Sequence, residues 1–149
     1  MRPTVNSERL STQNGVALRT PWQPGPGAKP GGPVLVSFTD FRVRGFRHLL
    51  PVSRTATAVR REWGTRRGSL GLALWVRPLD QRLGSLSAWE SEEDLQRWIG
   101  SDDHGDAVRA NKAHMWNIAS ATWETDNFVL AEAWQEAERR QRAGESNGI

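Results

Sequence analysis

The 149-residue chain contains no cysteine, which excludes disulfides, thiolate nucleophiles and cysteine-ligated zinc or iron–sulfur centres. Tyrosine is also absent, and lysine occurs only as Lys29 and Lys112, so the basic side chains are almost all arginine. No apolar run approaches the roughly 20 residues that span a bilayer, and the opening MRPTVNSERLSTQNG lacks the apolar stretch of a signal peptide. The expectation is a cytoplasmic protein without a membrane partner. No H-x-x-x-H or H-x-H spacing links His48, His104 and His114, and GPGAKPGGP lacks the Lys-Ser/Thr of a phosphate loop. No metal, nucleotide or flavin, and so no cofactor, is expected. Formal net charge is only +3, and the arginines interleave with acids from Glu90 to Asp106. No single-sign stripe runs along the chain, and nucleic acid is not expected as a partner.

The eight tryptophans are the unusual presence. Each ring can supply core area or line a flat apolar site. The length suits one core with tails. Residues 1–33 include TPWQPGPGAKPGGP, a Pro/Gly cluster without hydrophobic period, and read as an extended or disordered flexible arm joining the fold near Pro33. Trp22 in that arm is either an anchor to a partner subunit or an exposed ring. Residues 34–126 form the domain and 127–149 a C-terminal helix and tail.

Within the domain, VLVSFTDFRV (34–43) reads as a strand, apolar on both faces. A helix follows from about Pro51, with Val52, Ala56, Val59 and Trp63 at helical spacing. SLGLALWVR (69–77) alternates as a strand buried on both faces, and the turn Pro78-Leu79-Asp80-Gln81 returns the chain into LGSLSAW (83–89) as a hairpin. Ser91 caps a helix carrying Leu95, Trp98 and Ile99, and Ser101 caps another with His104, Ala107, Val108 and Asn111 on one face. HMWNIASATWET (114–125) reads as the last strand and Ala131 to Arg142 as a terminal helix. The order βαββαβ followed by α defines an α+β, ferredoxin-like domain. Helices on one face of its antiparallel sheet leave the other face to be covered, most simply by a second copy in a C₂ homodimer.

The segment LSAWESEEDLQRWIGSDDHGDAVR, with a strand Trp, a Ser-capped acidic helix start, an aromatic and then Ser-x-x-His, resembles the antibiotic biosynthesis monooxygenase-like superfamily. The resemblance is strongest over Ser85 to Arg109 and weaker over Val34 to Thr125. It implies a dimeric α+β barrel with a pocket in each subunit between the sheet and its helices. Reactions in that superfamily include cofactor-free oxygenation, heme degradation, isomerisation and cyclisation. The heme-degrading branch matches at Trp89 and over Glu93 to Trp98. Its strand asparagine would fall near Phe38 or Thr39, however, and its axial histidine several residues past His104, so heme is unsupported.

Candidate catalytic residues are His104, on the core-facing stripe of its helix, Asn117 as an oxyanion donor, and Asp40, an acid in an apolar strand. Asp102, Asp103 or Asp106 could orient His104, or its ring could simply bond a backbone carbonyl. Trp89 with Ser87 and Ser85 on its strand face would form a slot for a flat ligand, or pack in the core. Trp75, beside the small Ala73 and Gly71, joins Trp89, Ser87, Phe38, Trp116 and Trp98 as a candidate substrate contact. His48 reads as a capping or surface residue. The resulting expectation is an enzyme of secondary metabolism acting on a hydrophobic aromatic or polyketide-like substrate, first as a cofactor-independent monooxygenase. An acid–base isomerase, cyclase or dehydratase is the alternative, followed by a non-catalytic ligand-binding or assembly subunit and a heme-binding protein.

Overall fold

A computed structural model describes residues 17–28 and 32–146. Strand β3 (Val34–Val43) lies between β5 (Arg82–Trp89) and β6 (Met115–Thr125), and β4 (Ser69–Arg77) pairs with the far side of β5, all antiparallel. Helix α1 (Leu49–Arg61) joins β3 to β4, while α2 (Glu92–Ile99) and α3 (Asp102–Asn111) join β5 to β6. This is the ferredoxin-like βαββαβ order, with α4 (Leu130–Ser146) appended. Helix α1 begins two residues before Pro51, which therefore sits in the first turn, where its missing N–H costs nothing. Ser91 Oγ accepts from the Asp94 amide and Ser101 Oγ from the His104 amide, each at 3.2 Å, so both caps form where the sequence puts them. The β4–β5 turn closes with Gln81 in the left-handed region at φ 58°.

Both faces of the sheet are occupied. On one side, Leu35, Leu72 and Trp89 pack with Val59, Trp63 and Leu95 from the α1 and α2 region. On the other, Val36, Phe38, Ala73, Trp75 and Leu86 pack against Ala133, Trp134 and Ala137 of α4. The dual apolar character of β3 and β4 thus reflects two helical layers supplied by one chain. The expectation of a sheet-to-sheet homodimer loses its stated reason, because α4 lies where the second copy was to lie.

The arm also departs from expectation. Within its described part, β1 (Leu18–Arg19) and β2 (Gln23–Pro24) pair antiparallel with the outer edge of β4. The arm therefore joins the sheet fifteen residues before Pro33, since β4 would otherwise leave a row of unpaired backbone groups. Trp22 lies on Gly71, where an added Cβ would come within 2.2 Å of the indole, and its ring meets Phe128 at 5.3 Å. Trp22 is accordingly an anchor to this chain's own sheet. The part of the arm before residue 17 lies outside the described residues.

Trp134 closes this second layer, buried beneath the Arg19 guanidinium 4.1 Å above its ring, while Arg19 pairs with Glu138 at 2.7 Å. Trp134→Ala should cost about 3–5 kcal/mol of unfolding free energy, read from the shift in a urea melt.

Candidate functional site

The helix-facing side of the sheet carries alternate residues of each strand, and their register brings hydroxyls into two rows. Ser37 lies opposite Ser87 and Thr122, and Thr39 lies opposite Ser85 and Ser120. In the second row Thr39 Oγ1 accepts from the Ser85 amide at 2.9 Å and shares a hydrogen bond with Ser85 Oγ at 2.7 Å. Trp89 Nε1 donates to Ser87 Oγ at 2.8 Å. Above this floor, α1, α2 and α3 present Val52, Ala56, Val59, Leu95, Trp98 and His104, which border a half-open cavity of about 650 Å³. That size suits a small organic molecule, with mostly apolar walls, a few hydroxyls to orient it, and Arg19 and Glu92 at its border.

His104 is half-buried at this wall. Burial holds its pKa below the usual imidazole value of 6.5, and a hydrogen bond to the Ile99 carbonyl acts weakly the other way. The ring is therefore neutral near pH 7. A neutral imidazole carries one N–H and one lone pair, so the ring can both donate and accept. No nearby aspartate orients it: Asp103 pairs with Arg66 at 2.8 Å, and Asp106 pairs with Arg109. Aromatic contacts do this instead. Trp98 meets the imidazole edge-on at 5.2 Å, meets Trp63 at 5.0 Å, and stacks under the Arg66 guanidinium at 4.6 Å. Trp63 in turn meets Trp89 at 5.7 Å and donates to Ser69 Oγ at 2.6 Å.

Of the residues singled out from the sequence, His104, Trp98, Ser87 and Trp75 line the cavity. Trp75 does so only in part, since its ring stacks on Phe38 at 5.5 Å and its Nε1 donates to the Thr39 carbonyl at 3.1 Å. Trp89 is fully buried behind Ser87, packed in the core. Phe38 and Asp40 share the opposite strand parity and face the α4 layer. There Asp40 accepts from Arg82 and, at 2.7 Å, from Gln141 Nε2, so it is a paired structural carboxylate away from the cavity. Asn117 stands opposite Arg42, on that same parity. Trp116 falls in the register shift between Arg42 and Val43 and is exposed beside Arg42. Alternation separates the two faces of β3 but does not say which one the helices of the βαββαβ unit cover, hence the misplacement of Phe38.

Asn111, on the same helix face as His104 in the sequence reading, is buried at the end of α3, where its Nδ2 donates to Ala107 O at 3.0 Å. The hydroxyl rows were signalled by Ser-x-Thr, Ser-x-Ser and Ser-x-Thr in three strands, but their alignment depends on register. His48 and His114, 66 residues apart, meet with Nδ1 atoms at 2.9 Å, a contact no sequence spacing announces. Among the described residues, no group of three or more histidines and acids could hold a metal ion.

No family model matches this sequence, and no curated protein matches it. Solved structures do resemble it. A protein provisionally called a monooxygenase from Fusobacterium nucleatum superposes with a TM-score of 0.64 at 7% identity, over 76% of this chain and 52% of its own. This chain thus spans about half of that protein's length. An antibiotic biosynthesis monooxygenase superposes at 0.53 with 12% identity, over 64% of this chain and 99% of that one. A Deinococcus radiodurans protein, provisionally named an antibiotic biosynthesis monooxygenase, superposes at 0.54 with 11% identity, over 64% and 95%. The chain shares the ferredoxin-like α+β fold of these structures. Identities this low carry the fold and not a reaction. Within this fold the cavity lies between the sheet and α1, α2 and α3, the position that the sequence resemblance implies.

Because the folded protein resists a proton on His104 that the unfolded chain accepts near pH 6.5, its contribution to stability is complete above that pH. It is lost as pH falls through the lower folded value. An NMR titration of the imidazole resonances, assigned with a His104→Gln variant, should give an apparent pKa below 6.5 for His104.

Proposed function

We propose that this chain is a small-molecule tailoring enzyme of secondary metabolism that binds a hydrophobic aromatic or polyketide-like substrate and oxidises it with molecular oxygen, without a cofactor. The observation that carries this reading is a neutral imidazole in the wall of a largely apolar cavity of about 650 Å³ that Arg19 and Glu92 border. A neutral imidazole held in fixed orientation is a general base matched to a phenol or enol. The floor hydroxyls Thr39, Ser85 and Ser87 can donate to oxygens of the same molecule.

His104 would take the hydroxyl proton of an electron-rich phenolic ring. The resulting anion passes an electron to oxygen, and the radical pair joins as a carbon–oxygen bond at the ring. The ring carbon then gives up its proton, and its bonding pair forms the carbonyl as the peroxide O–O bond breaks. One oxygen atom remains as a quinone carbonyl, and the other leaves as water with that proton and the one returned by His104. The substrate is oxidised and oxygen reduced, so no other reductant is needed. The apolar side chains that α1, α2 and α3 set over the sheet limit the water around the anion.

The same base and hydroxyls could serve an isomerisation or cyclisation. The distinction is made by oxygen. Oxygen uptake should match product formed one to one; turnover at an equal rate under argon would transfer the reading to acid–base rearrangement. His104→Ala should lower turnover by about 10² to 10⁴, with the thermal midpoint little changed. Unaltered turnover in that variant would remove His104 from the mechanism.

A further inference from the structure

We propose that the corner where β3 runs into α1 and α3 runs into β6 binds an anionic lipid bilayer surface. This goes beyond the proposed reaction and does not depend on it. Two stretches of the chain are free of acids. Between Asp40 and Glu62 lie Arg42, Arg44, Arg47, Arg54, Arg60 and Arg61, and between Asp106 and Glu124 lie Arg109 and Lys112. They are far apart in sequence, which is why no stripe of one sign is evident there.

The fold joins them. The Arg44 amide donates to the His114 carbonyl at 3.0 Å and Arg44 Nε to the Ala113 carbonyl at 3.2 Å. His48 and His114 meet through their Nδ1 atoms, and the Arg42 guanidinium lies 5.8 Å from the Trp116 ring centre. Most arginines in the rest of the fold, such as Arg19, Arg66, Arg82 and Arg140, face a carboxylate. Among the described residues, no ion pair engages Arg42, Arg44, Arg47 or Lys112. This corner therefore carries a local excess of positive charge although the whole chain is near balance.

Large apolar side chains emerge within four residues of the same contact. Phe46, Leu50 and Ile118 are each 55% exposed, and Trp116 is 57% exposed. Phe46 and Leu50 flank His48, and Trp116 and Ile118 follow His114. Water-exposed Trp, Phe, Leu and Ile tips set among arginines match the two layers of a bilayer interface: the rings and aliphatic tips enter below the headgroups, and the guanidinium groups meet the phosphates. Four apolar tips among cations make a smaller apolar core than a stable protein–protein interface uses. An acidic protein is therefore the less favoured occupant. Ile118 also borders the cavity, so the surface reaches the rim of the site. A hydrophobic substrate dissolved in the bilayer would then have a short path inward.

The test is co-sedimentation of the full chain with vesicles of phosphatidylcholine containing one-third phosphatidylglycerol, against vesicles of phosphatidylcholine alone. The chain should partition onto the anionic vesicles only, and less as salt is raised. Each basic residue at a bilayer surface contributes about fivefold in partitioning, so Arg47→Glu with Lys112→Glu should lower it at least tenfold. Phe46→Ser with Leu50→Ser, chosen independently at exposed positions, should lower it as well. Near-ultraviolet circular dichroism matching the parent would show both variants folded. Equal sedimentation with neutral vesicles, none with anionic ones, or unchanged partitioning in both folded variants would overturn the proposal. Binding of polyglutamate but not vesicles, sensitive to Arg47→Glu, would overturn it in favour of an acidic protein partner.

Discussion

Strand β3 is hydrogen-bonded along both edges and carries apolar side chains on both faces, so it must be enclosed from four directions. The rest of the architecture answers that constraint. Strands β5 and β6 satisfy its backbone, α1 to α3 cover the Leu35 face, and α4 covers the Val36 and Phe38 face. A sheet with one bare apolar face would have to associate or aggregate. This chain supplies the missing layer from its own C-terminal segment. The two layers are unlike in character. The α4 side is packed solid with Phe38, Trp75 and Trp134, whereas the α1 to α3 side leaves a cavity over small hydroxyl residues.

How far the sequence reveals this can be followed residue by residue. Ser91 and Ser101 announce their helices because a cap is a local event decided within four residues. The hairpin around Gln81 is legible for the same reason, and so is the order of elements. What is not legible is which of two apolar faces each helix meets. Phe38 and Asp40 look like site residues until α4 is seen to take their face, and α4 itself could as well have packed on a second copy. Contacts between distant segments are hidden more deeply. Trp22 settling on Gly71, and His48 meeting His114, depend on the whole topology and leave no periodic trace.

At the candidate site the fold puts His104 in the cavity wall, on the helix face where its spacing places it, but not beside an aspartate. An aspartate one turn away is the natural sequence guess for orienting an imidazole. In the fold Asp103 and Asp106 are claimed by arginines, and the ring packs against the edge of Trp98. A carboxylate partner would raise the basicity of the ring, whereas burial among aromatics lowers it. The aromatic surroundings therefore keep the base unprotonated at neutral pH at the cost of intrinsic strength, a balance suited to acidic phenols and enols rather than to weak carbon acids.

The described part of the arm has a further meaning. Leu18, Arg19 and Thr20 contribute to the cavity wall while Arg19 reaches across to Glu138 on α4. One short stretch of chain thus fastens the outer edge of the sheet, one side of the cavity and the opposite helical layer at once. A Pro/Gly-rich leader of this kind is what a protein engineer trims first when choosing an expression boundary. Cutting at residue 33 here would remove a wall and a clasp together, and a shortened protein that failed to bind or turn over a ligand would say nothing about the native one.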